Sequence, residues 1–525
     1  MKFVTGRDRS QTHLFPVSID QTIDNENEVR LIDVFVDSMD LENFGFDKQF
    51  IENGRPAYHP SDLLKLYIYG YMNKVRSSRD LEKECKRNIE VMWLLRCLQP
   101  DHNTISNFRR DNPKAIKKVF RETVRIAKHF KLIGGKLIAG DSSKFRAQNS
   151  KKNNFNKKKI ERHMAYIDNK LDQYNKQLAD EDDDGIEEIK KEIDKHNQRK
   201  QGYEKLDHQL DETGEVQIST SDPESRQMII RNNITEVAYN VQTTVDAENN
   251  IPIDYKLTNT NDSKAMGGML LRAKSILHTN EFTALYDKGY HTGSELDRAE
   301  RLGIQTIVAI PGIPRSSQAP DPDYNVAHFE YSFDSNSYIC PQGHSLKTNG
   351  TWHKGRNYYF RQYKTPECRS CPVRPKCTKS AQNGKIIQRS EYIPAIERNR
   401  ERVKQNPELY KQRQAIVEHP YGTIKRQWGF GYIITKKGLD RASADVGLMF
   451  TAYNLRRIIN ILGINALKKY LEGVLSGFYP DIRSIWLQIS TSNKLSSRFN
   501  LFSFKINRVL NSLIFNLELI KTGGF

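Results

Sequence analysis

Short apolar segments alternate with helical patterns between residues 136 and 310. "KLIAGD" has the pattern of a strand that ends at Asp141, and "EFTALYD" that of a strand that ends at Asp287. A hairpin pattern, "TEVAYNVQTTVD" and "NIPIDYKLTNT" joined by "AENN", lies between them, and a helix that Asp262 would cap follows it. Strands interleaved with helices predict an α/β fold, with two aspartates at strand ends.

The charge balance indicates the class of partner. Lys and Arg outnumber Asp and Glu by 82 to 64, which gives a net charge of +18 and favours a polyanion such as nucleic acid or an anionic membrane surface. No apolar run is long enough to span a bilayer, and the mean hydropathy is −0.70. The first residues lack the apolar stretch of a secretory signal, which predicts a cytoplasmic protein.

The region from 55 to 110 carries several short helical patterns. The last of them, "DHNTISNFRRD", places Arg109 and Arg110 near its end. Short helices that finish in a polar and basic one are typical of a helix-turn-helix reader of DNA, in which these arginines would contact phosphates. An ordinary helical subdomain with a basic surface remains the alternative.

A basic run follows the first strand-end aspartate. Between Lys144 and Lys159 the chain has seven Lys or Arg residues and no acid. The run is either a solvated face or one wall of a phosphate-lined groove beside Asp141.

Apolar residues then recur at spacings of four and three from Ile160 to Leu178 and resume at Ile186. This heptad-like seam predicts an antiparallel helical hairpin.

Carboxylates at strand ends suggest metal chemistry. Phosphodiester cleavage by the two-metal route needs acidic side chains that hold two divalent ions about 4 Å apart. Mg²⁺ suits such a site because it needs only a few protein oxygens. A third acid is expected, and Glu418 in "VEHPYGTIKRQWG" is the best candidate, with Lys425 on the same helical face and Pro420 as a complication.

Four of the six cysteines cluster late in the chain, in "CPQGH" and "CRSCPVRPKC". Thiolates at this spacing are typical of a structural zinc site, with an iron–sulfur cluster or no metal as alternatives. His344 would replace one thiolate in a variant of the zinc site. The four residues are Cys340, Cys368, Cys371 and Cys377.

Several of these segments resemble bacterial insertion-sequence transposases of the DDE type, whose catalytic domain has the RNase H-like fold. The resemblance is carried by "AGDSSKFRA", "YDKGYHTGSEL", "VEHPYGTIKRQWG" and "AYNLRR". It implies that Asp141, Asp287 and Glu418 are the catalytic carboxylates, which hold two Mg²⁺ or Mn²⁺ ions. The family also carries a tyrosine, arginine, glutamate and lysine signature with two, three and six residues between its members.

In this chain the signature residues are Tyr410, Arg413, Glu418 and Lys425, with two, four and six residues between them, so the arginine and the glutamate stand one residue further apart. The resemblance implies that Tyr410, Arg413 and Lys425 contact DNA, and the position of Lys144 beside Asp141 implies the same for it.

Together, the patterns and the resemblance predict an RNase H-like core with two insertions. The expected units are a helical DNA-binding region at 1–130, the first part of the catalytic domain at 131–310 with a helical-hairpin insertion at about 155–212, a cysteine-rich, zinc-ribbon-like insertion at 311–392, the second part of the catalytic domain at 393–470, and a C-terminal tail at 471–525.

The implied function is a transposase that binds the ends of its insertion sequence, cleaves them and transfers the 3′ ends to target DNA. Its expected partners are the double-stranded terminal inverted repeats and target DNA, with a homodimer assembled on DNA and a nucleoid-associated location. The alternatives are a catalytically decayed DNA-binding protein and a general nuclease of the same fold.

Overall fold

The computed structural model describes residues 18–46, 57–180, 186–231, 234–380, 382–435 and 437–476. Most of the predicted C-terminal tail, residues 477–525, lies outside these ranges. The helices are α1 (Glu28–Asp37), α2 (Leu41–Phe44), α3 (Pro60–Met72), α4 (Ser78–Arg87), α5 (Ile89–Leu94), α6 (His102–Asp111), α7 (Pro113–His129), α8 (Lys157–Asp180), α9 (Ile186–Thr213), α10 (Met266–Leu277), α11 (Gly293–Arg301), α12 (Arg374–Cys377), α13 (Ile393–Gln405), α14 (Pro407–Tyr421) and α15 (Leu439–Leu462).

The strands form one large sheet and several small ones. They are β1 (Leu137–Arg146), β2 (Asn154–Phe155), β3 (Ile218–Ser219), β4 (Arg226–Arg231), β5 (Ile234–Asp246), β6 (Ile251–Thr258), β7 (Thr283–Tyr286), β8 (Gln305–Val308), β9 (Glu330–Ser332), β10 (Ser337–Ile339), β11 (Ser345–Lys347), β12 (His353–Lys354), β13 (Tyr359–Tyr363) and β14 (Ile387–Ser390). The mixture of helices and strands confirms the predicted α/β class.

The large sheet is mixed and has six strands. Its order is β4-β5-β1-β7-β8, and β6 pairs with the far part of β5. Strand β5 runs antiparallel to β1 and to β6, whereas β1, β7 and β8 run parallel to one another. The hairpin of β5 and β6 and the succession α10, β7, α11, β8 follow the sequence-based prediction.

Of the two predicted strand ends, the structure confirms that of β7 and contradicts that of β1. Strand β7 stops at Tyr286, so Asp287 follows it directly, as predicted. Strand β1 continues to Arg146, and the prediction that it ends at Asp141 is wrong. The reason is its pairing: the parallel register with β7 ends at Ala139, but the antiparallel register with β5 holds the strand extended through Arg146.

Apolar residues of β1, β5, β7 and β8 pack against helix α14 on one face of the sheet. The buried residues of this layer are Ala139, Val245, Leu285, Ile307, Ile416 and Val417. Because side chains alternate along a strand, residues an even number of places from Ala139 in β1 point to this same face. Helix α14 therefore lies over the face that carries Asp141.

The N-terminal helices share one hydrophobic core with the sheet. Every residue of α3 is buried, and α15 lies between α3, α7 and β6. The charged Lys65 is tolerated in α3 because its ammonium pairs with Asp33 at 2.6 Å and with Asp37 at 2.8 Å. The buried cluster runs from Ile23 to Leu471, across the boundary expected near residue 130, which stays a prediction.

The predicted helical hairpin is present as α8 and α9. The described residues of its seam are buried or half-buried, with Ile160 and Ile167 fully so. Ion pairs join Lys157 to Asp211 and Lys200 to Asp168, as antiparallel helices require. The short strands β2 and β3 pair where the hairpin leaves and rejoins the main body.

Two small three-stranded sheets lie between β8 and α13. Their orders are β11-β10-β9 and β12-β13-β14, and they enclose a small aromatic core of Phe329, Tyr338, Leu346, Tyr363 and Ile387. In the described ranges no helix is long and apolar enough to cross a bilayer.

Candidate active site

Asp141 and Asp287 lie side by side on neighbouring parallel strands. In the register of β1 with β7, Ala139 is opposite Leu285, and each aspartate stands two residues beyond its member of that pair. The even spacing directs both carboxylates to the face covered by α14. The side chain of Asp287 also accepts a hydrogen bond of 2.8 Å from the backbone N–H of Gly289, which fixes the turn after β7.

Helix α14 supplies a cation to both carboxylates. Arg413 Nη2 lies 3.0 Å from Asp141 Oδ1 and 3.9 Å from Asp287 Oδ2. Tyr410 stands one turn earlier on the same face of α14. Burial raises the pKa of Tyr410, and although Arg413 opposes the shift, the charges of Asp287 and Asp141 add to it. Tyr410, Arg413, Asp141 and Asp287 therefore form one cluster.

The electrostatics of this cluster favour a bound cation. Burial raises the pKa of Asp141 to about 6, against the opposing influence of Arg413 and of the backbone N–H of Ser142. The charges of Asp287 and Asp262 raise it further. A carboxylate that resists ionisation beside a second acidic side chain is stabilised by nearby positive charge, and Arg413 supplies it here. Hard oxygen donors of this kind also suit Mg²⁺.

Glu418 does not join the two aspartates. It is exposed, and its Oε1 accepts a hydrogen bond of 2.9 Å from Gln414 on the same helix. Five residues separate it from Arg413 in numbering, which turns the two side chains roughly 140° apart around a helix. In the transposase signature, three residues separate the arginine from the glutamate, whereas four separate Arg413 from Glu418. The extra residue accounts for the different orientation of Glu418.

The predicted alignment of Glu418 with Lys425 is also wrong. Helix α14 ends at Tyr421, one residue after Pro420, and residues Gly422–Gln427 form a π-helical segment with a different periodicity. Lys425 consequently points to β1, where its Nζ donates hydrogen bonds of 2.9 Å to Ser143 Oγ and to the backbone oxygen of Lys144. Burial, together with the charge of Lys144, lowers the pKa of Lys425 to about 8.

Within the described ranges no group of three or more His, Cys, Asp or Glu residues is arranged to hold a metal ion. Asp141 and Asp287 stand as a pair beside Arg413, and Glu418 stands apart from them.

Asp262 is a third acid near the pair, and its role was missed in the sequence. It was expected to cap the following helix, but α10 begins at Met266 with Ala265 at its cap position. Asp262 instead begins a 3-10 turn, Asp262–Lys264, and its carboxylate accepts hydrogen bonds from Asn240 and Gln242 of β5. Lys144, expected on DNA, lies 3.2 Å from Asp262 Oδ2. No local pattern signals this contact, because β1, β5 and the turn are distant in sequence.

The two arginines expected on DNA have different positions in α6. Arg109 is only 4% exposed, donates a 3.0 Å hydrogen bond to Tyr71 Oη and lies 4.0 Å from the buried carboxylate of Asp445. Its predicted contact with DNA is therefore wrong, because the guanidinium is enclosed by α3 and α15. Arg110 is exposed and paired with Asp111 at 2.6 Å.

The four clustered cysteines line one small cavity together with His344. Burial raises the pKa of Cys377; Lys385 opposes the rise, and the neighbouring Cys368, Cys340 and Cys371 add to it. The thiols are thus near one another, although they are not arranged as a metal site. Cys340 Sγ accepts a 3.3 Å hydrogen bond from the backbone N–H of His344.

No curated protein matches the chain in sequence. A solved structure of a piggyBac transposase synaptic complex with hairpin DNA is similar at 11% identity over 90% of this chain and 84% of that one, with a TM-score of 0.29.

Two family models match separate parts of the chain. A transposase domain (DUF772) matches residues 17–111, and a transposase DDE domain matches residues 339–459, which include Glu418 but neither aspartate. The DDE domain implies dependence on a divalent cation, typically Mg²⁺. Both matches are to transposase domains, and together they support an insertion-sequence transposase of the DDE type.

Proposed function

We propose that this transposase binds the ends of its own insertion sequence, cleaves them by metal-assisted hydrolysis and joins the freed 3′ ends to target DNA. The observation that carries the proposal is the pair of Asp141 on β1 and Asp287 just after the neighbouring parallel strand β7, bridged by the guanidinium of Arg413. Both reactions are phosphoryl substitutions, so one site of this kind serves both. The active form is a homodimer on DNA, at the nucleoid.

The proposed core is RNase H-like. Support comes from the strand order β6-β5-β1-β7-β8, in which β5 alone runs against the others, and from the position of both aspartates over one face, just beyond the point where the parallel pairing of β1 with β7 ends. In open α/β sheets, ligands bind at the carboxyl ends of parallel strands.

Asp141 and Asp287 would hold the divalent cation, and Glu418 would complete the site on DNA. Bound Mg²⁺ supplies the charge that activates the attacking oxygen and stabilises the leaving oxygen. Arg413, displaced from the carboxylates, would hold the scissile phosphate through its planar fork of donors. Tyr410 stands next to it and would orient the same phosphate group.

Three further cations would hold the flanking DNA backbone. Lys144 lies on β1, Lys425 reaches the same part of β1 from the π-helical segment through its hydrogen bond to the backbone oxygen of Lys144, and Arg110 is exposed on α6. Each would pair with a phosphate, which fixes the register of the DNA without reading its sequence. Arg109 has no part in this contact because it is buried.

The exposed position of Glu418 favours the alternative of a catalytically decayed DNA-binding protein. A substitution of Glu418 distinguishes this alternative from an active transposase. If Glu418 swings into the site on DNA, Glu418→Gln should abolish cleavage of a DNA duplex that carries the element end, while DNA affinity is kept. The neighbouring exposed variant Gln414→Ala is the matched control and should cleave within about twofold of wild type, since surface changes have small effects. Equal cleavage by Glu418→Gln and wild type would remove Glu418 from the site.

The cysteine cluster is proposed to hold one structural zinc ion. Its four thiols line the same cavity, and soft thiolates select Zn²⁺ where hard carboxylates select Mg²⁺. Purified protein should contain about one zinc per chain, and Cys371→Ser should lose it, because zinc sites of this class need four ligands.

Elemental analysis and thermal unfolding measure both effects. Cys85→Ser, in the core of α4, is the control, which should keep the zinc while it lowers stability. Iron with sulfide would favour the cluster alternative, and protein without metal after reducing, chelator-free purification would contradict both sites.

A further inference from the structure

Asp262 lies against the turn that carries Asp287. The 3-10 turns Asp262–Lys264 and Lys288–Tyr290 pack on each other, with Gly289 at their contact. A methyl group added at Gly289 would lie 3.0 Å from Asp287 Oδ1 and 3.6 Å from Asp262 Oδ2. The two carboxylates therefore both lie close to the same side of Gly289.

A series of hydrogen bonds also connects Asp262 to the Lys288–Tyr290 turn. The amide groups of Asn240 and Gln242 each donate a 2.7 Å hydrogen bond to Asp262 Oδ1. The oxygen of the Gln242 amide accepts a hydrogen bond from the hydroxyl of the fully buried Tyr290, the last residue of the turn. Both polar atoms of the Gln242 amide are therefore held: its nitrogen donates to Asp262, and its oxygen accepts from Tyr290.

The other oxygen of Asp262 holds Lys144. Lys144 Nζ lies 3.2 Å from Asp262 Oδ2 and donates a 2.9 Å hydrogen bond to Ser142 Oγ. Ser142 is the residue after Asp141 in β1 and Lys144 lies two residues beyond Ser142, so the side chains of both point to the sheet face opposite that of Asp141. Asp262 consequently controls where the ammonium stands relative to the first catalytic carboxylate.

The charge on Asp262 is kept despite its partial burial. Burial opposes ionisation, but the amide of Asn240, the charge of Lys144 and hydrogen bonds from Ser142 and Gln242 hold the pKa of Asp262 below its usual value. A third carboxylate close to Asp141 and Asp287 adds repulsion, which its contacts with Lys144 and the two amides offset.

We propose that Asp262 is a positioning residue of the transposase site: it fixes the Lys144 ammonium on β1, three residues along the strand from Asp141, and supports the turn that carries Asp287. The inference rests on the proposed function of the two aspartates. Partners that orient metal-binding side chains typically contribute 10- to 100-fold to metal affinity or activity. Asp262 acts through Lys144 and Asp287, and it needs no contact with DNA.

The test compares Asp262→Asn and Asp262→Ala with wild type in full-length protein. Asp262→Asn keeps the shape but loses the charge that holds Lys144. Cleavage of an element-end duplex should fall roughly 10- to 100-fold, and the Mg²⁺ concentration for half-maximal cleavage should rise, because Asp287 is less well fixed. Mn²⁺ binding measured by calorimetry without DNA should weaken in parallel.

A double variant of Asp262 and Lys144 distinguishes a positioning role of Asp262 from a general loss of protein stability. The losses from Asp262→Asn and Lys144→Met should be less than additive in the double variant, since one change already breaks the contact. In Asp262→Asn alone, Lys144 should react faster with an acylating reagent, as measured by peptide mass spectrometry. Asp246→Asn is the matched control, because Asp246 binds the backbone of Gly134 and Gly135 at the far end of β5 and should leave Mg²⁺ dependence unchanged.

The outcomes are distinct. Wild-type Mg²⁺ dependence and unchanged Lys144 reactivity in Asp262→Asn would overturn the inference, as would strictly additive losses with Lys144→Met. If Asp262→Ala does not fold, the asparagine variant decides. Normal cleavage by Asp141→Asn would instead refute the proposed function, whatever the result at Asp262.

Discussion

Asp141→Asn and Asp287→Asn are each expected to abolish DNA cleavage by this transposase. Removing a ligand of the divalent cation forfeits several kcal/mol of transition-state stabilisation, which corresponds to roughly a thousandfold or more in rate. Folding should be kept, because burial already disfavours the charge on Asp141 and the neutral amide has the same shape. The measurement is the cleavage rate of an element-end duplex in Mg²⁺.

DNA affinity provides the internal comparison. Loss of a negative charge from a basic surface does not weaken phosphate attraction, so both asparagine variants should bind the duplex at least as tightly as wild type. Asp246→Asn, on the same sheet but at its far end, should cleave normally. Undiminished cleavage by either active-site variant would exclude that aspartate from the catalytic pair.

Arg109→Ala is expected to destabilise the protein by about 3–5 kcal/mol, the range measured when one partner of a buried ion pair is removed. The guanidinium is 4% exposed, stacks over Tyr67 at 5.2 Å and lies close to Asp445, which is fully buried. Without it, Asp445 keeps Tyr71, the backbone N–H of Ile434 and the 3.5 Å contact with Arg76. Denaturant unfolding followed by tryptophan fluorescence measures the loss.

The adjacent Arg110→Ala is the matched control in the same helix. Arg110 is exposed, so its removal should change stability by less than about 0.5 kcal/mol. It should instead lower the slope of log affinity against log salt by about one, as loss of one phosphate contact does. A stable Arg109→Ala protein with a lower salt slope would show that Arg109 reaches DNA after all.

Local sequence was enough for most of the secondary structure around the site. The alternating pattern of β5 and β6, the seam of α8 and α9, and the apolar run that stops before Asp287 are all visible over a few residues. Such patterns are readable because side chains repeat every second residue in a strand and about every 3.6 in a helix. The position of Asp287 was predicted for this reason.

Predictions that depended on local continuity were less successful. The end of β1 was placed at Asp141, whereas pairing with β5 carries the strand on to Arg146. Glu418 and Lys425 were expected on one helical face, but a π-helical segment intervenes. In each case the deciding hydrogen bonds are set by neighbouring structure that the local pattern does not contain.

The sequence by itself determined the α/β class, the basic character that favours DNA and the helical hairpin, and it supplied Asp141 and Asp287 as candidate catalytic carboxylates. Only the tertiary structure decided that Arg109 is enclosed, that Glu418 is exposed and that Asp262 stands beside Asp287. The physical reason is that periodicity and charge are properties of short segments. Burial and ion pairing depend on partners such as Asp445 and Lys144, which come from distant parts of the chain and meet only when the helices pack on the sheet.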